Sequence, residues 1–160
     1  MPSRRQKPPS HLAGPAVKCA SVIFQREEAL VRMKGSCLCG EIWYEISALD
    51  MPIIHCHCQT CRKAHAAPFA STAGVKREHF RWLSGEEFLS TYESSPGKLR
   101  HFCRQCGSHL VAERPSQPHV ILRVATLDDD PISRPEAHIW VSHDVPWLEY
   151  ETVCKFLEWP

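Results

Sequence analysis

No stretch of this sequence approaches the roughly 20 apolar residues that a membrane-spanning helix requires. Neither sign of charge dominates. The 19 basic and 18 acidic residues leave +1, which supplies no electrostatic ground for an obligatory nucleic-acid partner. Long 3.6-residue periodicity is missing, and 13 prolines argue further against a helical bundle. No internal repeat recurs at a solenoid or propeller period. The basic N-terminus, Met1 to Ser10, is not followed by the apolar segment of a secretory signal. What remains is ordinary globular usage, 43% hydrophobic and 23% charged, in 160 residues, enough for one domain with a core.

Residues 1–32 differ from the rest. The first eighteen are rich in Pro and Lys/Arg and contain no acidic residue, which reads as a flexible N-terminal arm. Within the arm, Ser21 to Arg32 is expected to form a turn or two of helix, and Met33 is a candidate alternative start. Residues 33–152 are expected to form the domain, and 153–160 a tail. From Gly35 onward the pattern is mostly strand. Ile42, Tyr44 and Ile46 fall on one face of Glu41–Ile46 with period two. Further strands are expected over Phe69–Val75, Phe88–Tyr92, Leu99–Phe102, His109–Ala112 and Val120–Val124, separated by Gly and Pro turn signals. Two short helices are expected, one opening near Gln59-Thr60 and one near Glu78–Phe80. The class is therefore mainly β.

The abundance that stands out is cysteine, with nine residues. Such a count means either a disulfide framework or thiolate ligation of metal in a reducing, cytoplasmic setting. Cys37-x-Cys39 and Cys56-x-Cys58 are spaced too tightly for easy bridging within each pair, but suit convergence on one ion. Metal is the expectation. Three clusters carry it: Cys37-x-Cys39, Cys56-x-Cys58-x₂-Cys61 and Cys103-x₂-Cys106-Gly107. In the last, Gly is expected to take the tight backbone geometry of a zinc knuckle.

Seven ligands divide naturally into four and three. Zinc in a structural site is closed by four protein ligands, whereas a catalytic zinc keeps three and an open position. Cys56, Cys58 and Cys61 come from one short segment and can form the three-ligand set. Cys37, Cys39, Cys103 and Cys106 then form a Cys₄ site that clamps an early strand to a later hairpin. Four thiolates give Zn²⁺ a formal charge of −2, a poor Lewis acid. Three give −1, with room to bind and activate a thiol or water. The alternative is a second closed site completed by a histidine, with His55, His57 and His65 all near. His57 is expected to point away from the metal, and His65 to be a fourth ligand or an outer donor. Cys19 and Cys154 lie outside the clusters and read as plain small residues.

The segments Gly35-Ser36-Cys37-x-Cys39-Gly40, Cys56-His57-Cys58-x₂-Cys61-Arg62-Lys63 and Phe102-Cys103-x₂-Cys106-Gly107-Ser108 resemble the glutathione-dependent formaldehyde-activating enzyme family, which also includes centromere protein V. The resemblance runs from about Met33 to Tyr150 and takes in His138-Ile139-Trp140 and Pro146-Trp147. It implies a β-tent of small antiparallel sheets, with a structural zinc on Cys37, Cys39, Cys103 and Cys106. It also implies a catalytic zinc on Cys56, Cys58 and Cys61. The implied activity is a carbon–sulfur lyase that joins formaldehyde and glutathione to give S-(hydroxymethyl)glutathione, and the reverse. Where the family usually carries small residues, Ala64-His65-Ala66-Ala67 places an imidazole near the open zinc, to narrow the pocket or act as a base.

Arg62 and Lys63 are candidates for the carboxylates of a glutathione-like substrate, against a plain solvated basic turn. Two rivals stand beside the lyase: a non-catalytic zinc-stabilised binding module, and a nucleic-acid or chromatin-associated protein using Arg4, Arg5 and Lys7. The second ranks last, since the folded part lacks a dense basic stripe. Trp82, Trp140 and Trp147 are expected in the core or a pocket wall, and Asp128-Asp129-Asp130 in a solvated loop.

Overall fold

The computed structural model describes residues 32–148 and 156–158. The expected arm except Arg32, with its helix and Cys19, lies outside the described residues. So do Tyr150, Cys154 and most of the expected tail.

Two sheets enclose the core. Strand β1 (Met33–Ser36) runs antiparallel to β2 (Trp43–Ile46), which pairs on its other edge with β5 (Phe80–Ser84). The predicted inward face, Tyr44 and Ile46 of β2 with Ile42 just before it, is fully buried. Its other face carries Glu45, also buried, whose carboxylate accepts from Arg32 at 2.8 Å and Arg81 at 3.1 Å. Those partners are what make a buried charge tolerable.

The second sheet has seven strands. These are β3 (Ile54–Cys56), β4 (Ala70–Lys76), β6 (Leu89–Ser95), β7 (Lys98–Cys103), β8 (His109–Glu113), β9 (His119–Arg123) and β10 (Ala137–Ile139), in the order β10-β3-β4-β9-β8-β7-β6. All pairings are antiparallel except β10 with β3, which is parallel.

Register decides what each face of this sheet does. Leu122 lies opposite Val111 and Ala73, and Val120 opposite Val75. That apolar face meets Ile42, Tyr44 and Ile46 of the first sheet to make the main core. One residue out of phase, Arg100 aligns with Ala112, Ile121 and Gly74, and Arg123 aligns with Thr72 and Ile54. The single α-helix among the described residues, α1 (Gln59–His65), lies against β4. A smaller apolar cluster there joins Cys56, Cys61 and Ala70, with Cys58 and Ile139 packed on it.

The expected strands from Glu41, Phe69, Phe88, Leu99, His109 and Val120 are all present within a few residues, and the helix at Gln59 forms as read. The second expected helix is one 3₁₀ turn over Arg77–His79, because Phe80 already opens β5 and packs on Tyr44 with ring centroids 5.5 Å apart. Trp82 packs edge-on to Tyr44 as expected of a core residue, but Trp140 and Trp147 are exposed. Trp140 leaves the end of β10 in the left-handed region, φ 61°, and its ring lies 5.4 Å from that of His143, tilted by 42°. The three aspartates are exposed, as expected, and also bonded. Asp129 accepts from the Lys34 N–H at 2.7 Å and Asp128 from the Ser36 hydroxyl at 3.1 Å, which ties the loop to β1.

Candidate metal centres and an adjoining pocket

Two thiol groups are drawn together at opposite faces of the seven-stranded sheet. Among the described residues all seven cysteines are free, and those that can hold a metal ion fall into two sets. One is Cys37, Cys39, Cys103 and Cys106; the other is Cys56, Cys58 and Cys61. In each set the sulfurs lie within 4.8 Å of one another. A tetrahedral ion with metal–sulfur bonds of about 2.3 Å places its sulfurs about 3.8 Å apart. Cys37 to Cys39 is 3.4 Å and Cys39 to Cys103 is 3.7 Å, close to that spacing.

The four-cysteine set is made by two matching turns. Cys37 and Cys39 sit between β1 and β2, where Gly40 donates its N–H to the Cys37 carbonyl at 2.9 Å. Cys103 ends β7 and Cys106 sits in the turn to β8, where Gly107 donates to the Cys103 carbonyl at 2.8 Å. Both glycines have φ +77°, the left-handed geometry for which the sequence placed Gly after the cysteine. Ile42 donates its N–H to the Cys37 sulfur at 3.3 Å, and Leu38 donates to the Ser108 hydroxyl at 3.0 Å, so each turn braces the other. Burial raises the Cys106 thiol, but hydrogen bonds with Ser108 and the Cys39 backbone outweigh it and hold it down to about 6. Cys37 and Cys103 are themselves part of the main core.

The three-cysteine set is local. Cys56 ends β3, Cys58 caps α1 by accepting the Cys61 N–H at 3.4 Å, and Cys61 lies on the first turn. Cys56 and Cys61 push each other's titration apart. A hydrogen bond from Cys56 holds Cys61 down to about 5, helped by Arg123 and Arg100, while the same contact and then burial push Cys56 up. Three thiolates so close repel, and a divalent cation is what lets all three ionise together. None of His55, His57 and His65 belongs to this ligand group. The His57 ring instead reaches Asp144 and the His138 Nδ1, the latter at 2.8 Å, and so points away from the thiols. His65, expected as fourth ligand or outer donor, lies with its ring 5.0 Å from that of His109.

A pocket of 590 Å³ opens beside α1. Gln59, Thr60, Lys63 and Ala64 form its helix wall, interleaved with the cysteines of the second set. Tyr92, Arg100, Phe102 and His109 form the sheet wall. A second cavity of 240 Å³ is lined by His65, Arg123, Thr126 and, again, His109. Of the sequence-derived substrate candidates, Lys63 lines the larger pocket and His65 the smaller. Arg62 lines neither and donates its Nε to the His57 carbonyl at 3.1 Å. Burial, then Arg123, His109 and Arg100, hold His65 down to about 3, so it is neutral at pH 7. Sequence reading missed Arg100, Arg123 and His109. One signal was available: Val120-Ile121-Leu122-Arg123-Val124 sets a lone cation inside an apolar strand.

Residues 32–143 match the family described as glutathione-dependent formaldehyde-activating enzyme. An uncharacterized lyase of Schizosaccharomyces pombe is 31% identical over 77 residues, which are 48% of this chain and 54% of that protein, so the chain spans about half the length of that relative. The crystal structure of a Rhodobacter sphaeroides protein is similar with a TM-score of 0.55 and 27% identity, covering 66% of this chain and 99% of that one. No helix among the described residues is long and apolar enough to cross a membrane.

Proposed function

The chain belongs to the glutathione-dependent formaldehyde-activating enzyme family, and from that premise we propose that it is a zinc-dependent carbon–sulfur lyase that joins a small thiol such as glutathione to formaldehyde or another small aldehyde, and reverses the reaction. The observation that carries this reading is the incomplete ligand set. Cys56, Cys58 and Cys61 stand within 4.8 Å of one another without a fourth His, Cys or carboxylate in the group among the described residues, at the start of the helix that walls a 590 Å³ pocket. The four-cysteine set, part-buried and closed, is assigned the structural role.

The donor sets suit zinc, which prefers thiolates in tetrahedral array. Bound by Cys56, Cys58 and Cys61, it would supply a Lewis-acidic position at which a thiol loses its proton near neutral pH. In the forward direction a sulfur–carbon bond forms at the aldehyde carbon, the carbonyl π bond breaks, and the thiol's proton ends on the new hydroxyl. The reverse step breaks the same carbon–sulfur bond.

This chain's own residues bind and orient. The Lys63 ammonium at the pocket wall offers a charge partner to a thiol substrate's carboxylate, and Tyr92 and Phe102 offer it apolar surface. The Thr60 and Tyr92 hydroxyls are neutral donors for a carbonyl oxygen that gains charge. Aldehydes add to thiols unaided, so the test must read a rate and not a yield. Exchange between free formaldehyde, glutathione and their adduct, followed by magnetisation transfer in NMR, is expected to accelerate in proportion to zinc-loaded protein and to lose that acceleration in Cys58→Ser. Exchange at the uncatalysed rate would favour a zinc-stabilised binding module instead.

A further inference from the structure

Two arginines are buried behind the pocket without a carboxylate to meet them. Arg100 is 5% exposed and Arg123 is 4% exposed. Among the described residues neither makes an ion pair with Asp or Glu, unlike Arg32, Arg77 and Arg81, which all do. Arg100 donates its Nε to the Ser94 hydroxyl at 2.8 Å, but its Nη1 is buried and unpartnered; so are Arg123 Nε, His65 Nε2 and His109 Nδ1. Four unpartnered polar atoms, all on side chains lining the two cavities that meet at His109, are not scattered defects. Buried guanidinium donors left unmade are costly, so a fold that keeps two of them together has a use for them.

We propose that Arg100, Arg123, His65 and His109 form a carboxylate-binding subsite between the two cavities, which takes the carboxylate of one of the reactants that meet at the neighbouring thiol centre. The second half of that statement rests on the lyase reading; the first does not. Charge supports it. Three thiolates on a divalent ion carry −1 and two guanidiniums carry +2, so one positive charge in this buried region is left unbalanced. A carboxylate supplies that charge, and its two oxygens match the fork of a guanidinium. The imidazoles add neutral N–H donors. Arg100 faces the 590 Å³ pocket and Arg123 the 240 Å³ cavity, so the carboxylate would sit between them, beside His109. Either the thiol brings it, or the aldehyde partner is itself an oxo acid.

Calorimetric titration of the zinc-loaded full chain with two non-reacting probes separates these sources. Glycolate stands for a small oxo acid and S-methylglutathione for the thiol, with the diester of S-methylglutathione as the control that lacks both carboxylates. The expected result is that one probe binds, that its ester or amide form does not, and that Arg123→Met weakens binding about tenfold or more. Binding of glycolate assigns the carboxylate to the aldehyde partner; binding of S-methylglutathione alone assigns it to the thiol. Arg123→Met is expected to melt no lower than the wild type without probe, since it removes an unpaired buried charge. Should it not fold, Arg100→Met carries the same test. Equal affinity in wild type and variant, or no binding of either probe, overturns the subsite. Because the readout is binding without turnover, a failed exchange assay with probe binding intact removes the lyase reading and leaves the subsite standing.

Discussion

Gly35 shows how tightly single atoms are constrained at the join between the two sheets. A Cβ on Gly35 would come within 2.2 Å of the Tyr44 ring and 2.5 Å of the Thr126 carbonyl, and neither can move freely. Tyr44 is fully buried and its hydroxyl bonds Thr126 Oγ1 at 2.8 Å. Gly35→Ala should therefore cost about 2 kcal/mol or more by overpacking, read as a lowered denaturation midpoint of the zinc-loaded protein. An unchanged midpoint would mean that Gly35 packs less closely against Tyr44 and Thr126 than described. The sequence showed Gly35, Gly40 and Gly107 near cysteines. The backbone role of Gly107 was expected from its place after Cys106, and Gly40 shares its positive φ; only the fold shows that Gly35 is needed for space.

At the scale of elements, Glu113 at the end of β8 ties three segments together. Its carboxylate meets Arg77, from the turn after β4, at 2.5 Å and His101 of β7 at 2.8 Å. Burial raises the Glu113 carboxyl, but hydrogen bonds from Arg77 and His101 outweigh it, and the folded value lies below the usual carboxylate range. A group depressed in this way adds stability that is present above its unfolded pKa of about 4.3 and is lost as pH falls through the folded value. Glu113→Gln should be less stable than wild type at pH 7, with the gap closing below about pH 4. A gap independent of pH would show that the pairing contributes nothing.

Most elements were legible from period-two patterning, because a half-buried strand must alternate. Those that escaped were β1, β3 and β10, of three or four residues, and β5, which follows directly on a 3₁₀ turn. Strands that short are set by pairing with neighbours rather than by their own composition. The same limit hid Arg100 and Arg123. Each is one residue in a strand, and only the register places them on the helix side of the sheet.

For the whole molecule the two thiol sets have different consequences. Cys39 and Cys103 are 64 residues apart and belong to segments from different sheets, so an ion bound there would hold the two layers together. Cys56, Cys58 and Cys61 span a single strand end and helix start on the far face of the larger sheet, so an ion there can leave without unlocking the core. The grouping of these cysteines into four and three was readable in the sequence, because it follows from spacing and coordination chemistry. The absence of His65 from the ligand group was not, because an i,i+4 step on the helix puts it on the same face as Cys61, and only the fold turns its ring to His109. Zinc stoichiometry of protein purified under reducing conditions, in wild type, Cys58→Ser and Cys103→Ser, tests the division most directly. Two zinc ions per chain are expected in wild type, and one in Cys58→Ser with its cooperative melt retained; Cys103→Ser should lose the fold. A single zinc in wild type, or a Cys58→Ser protein that unfolds, would contradict it.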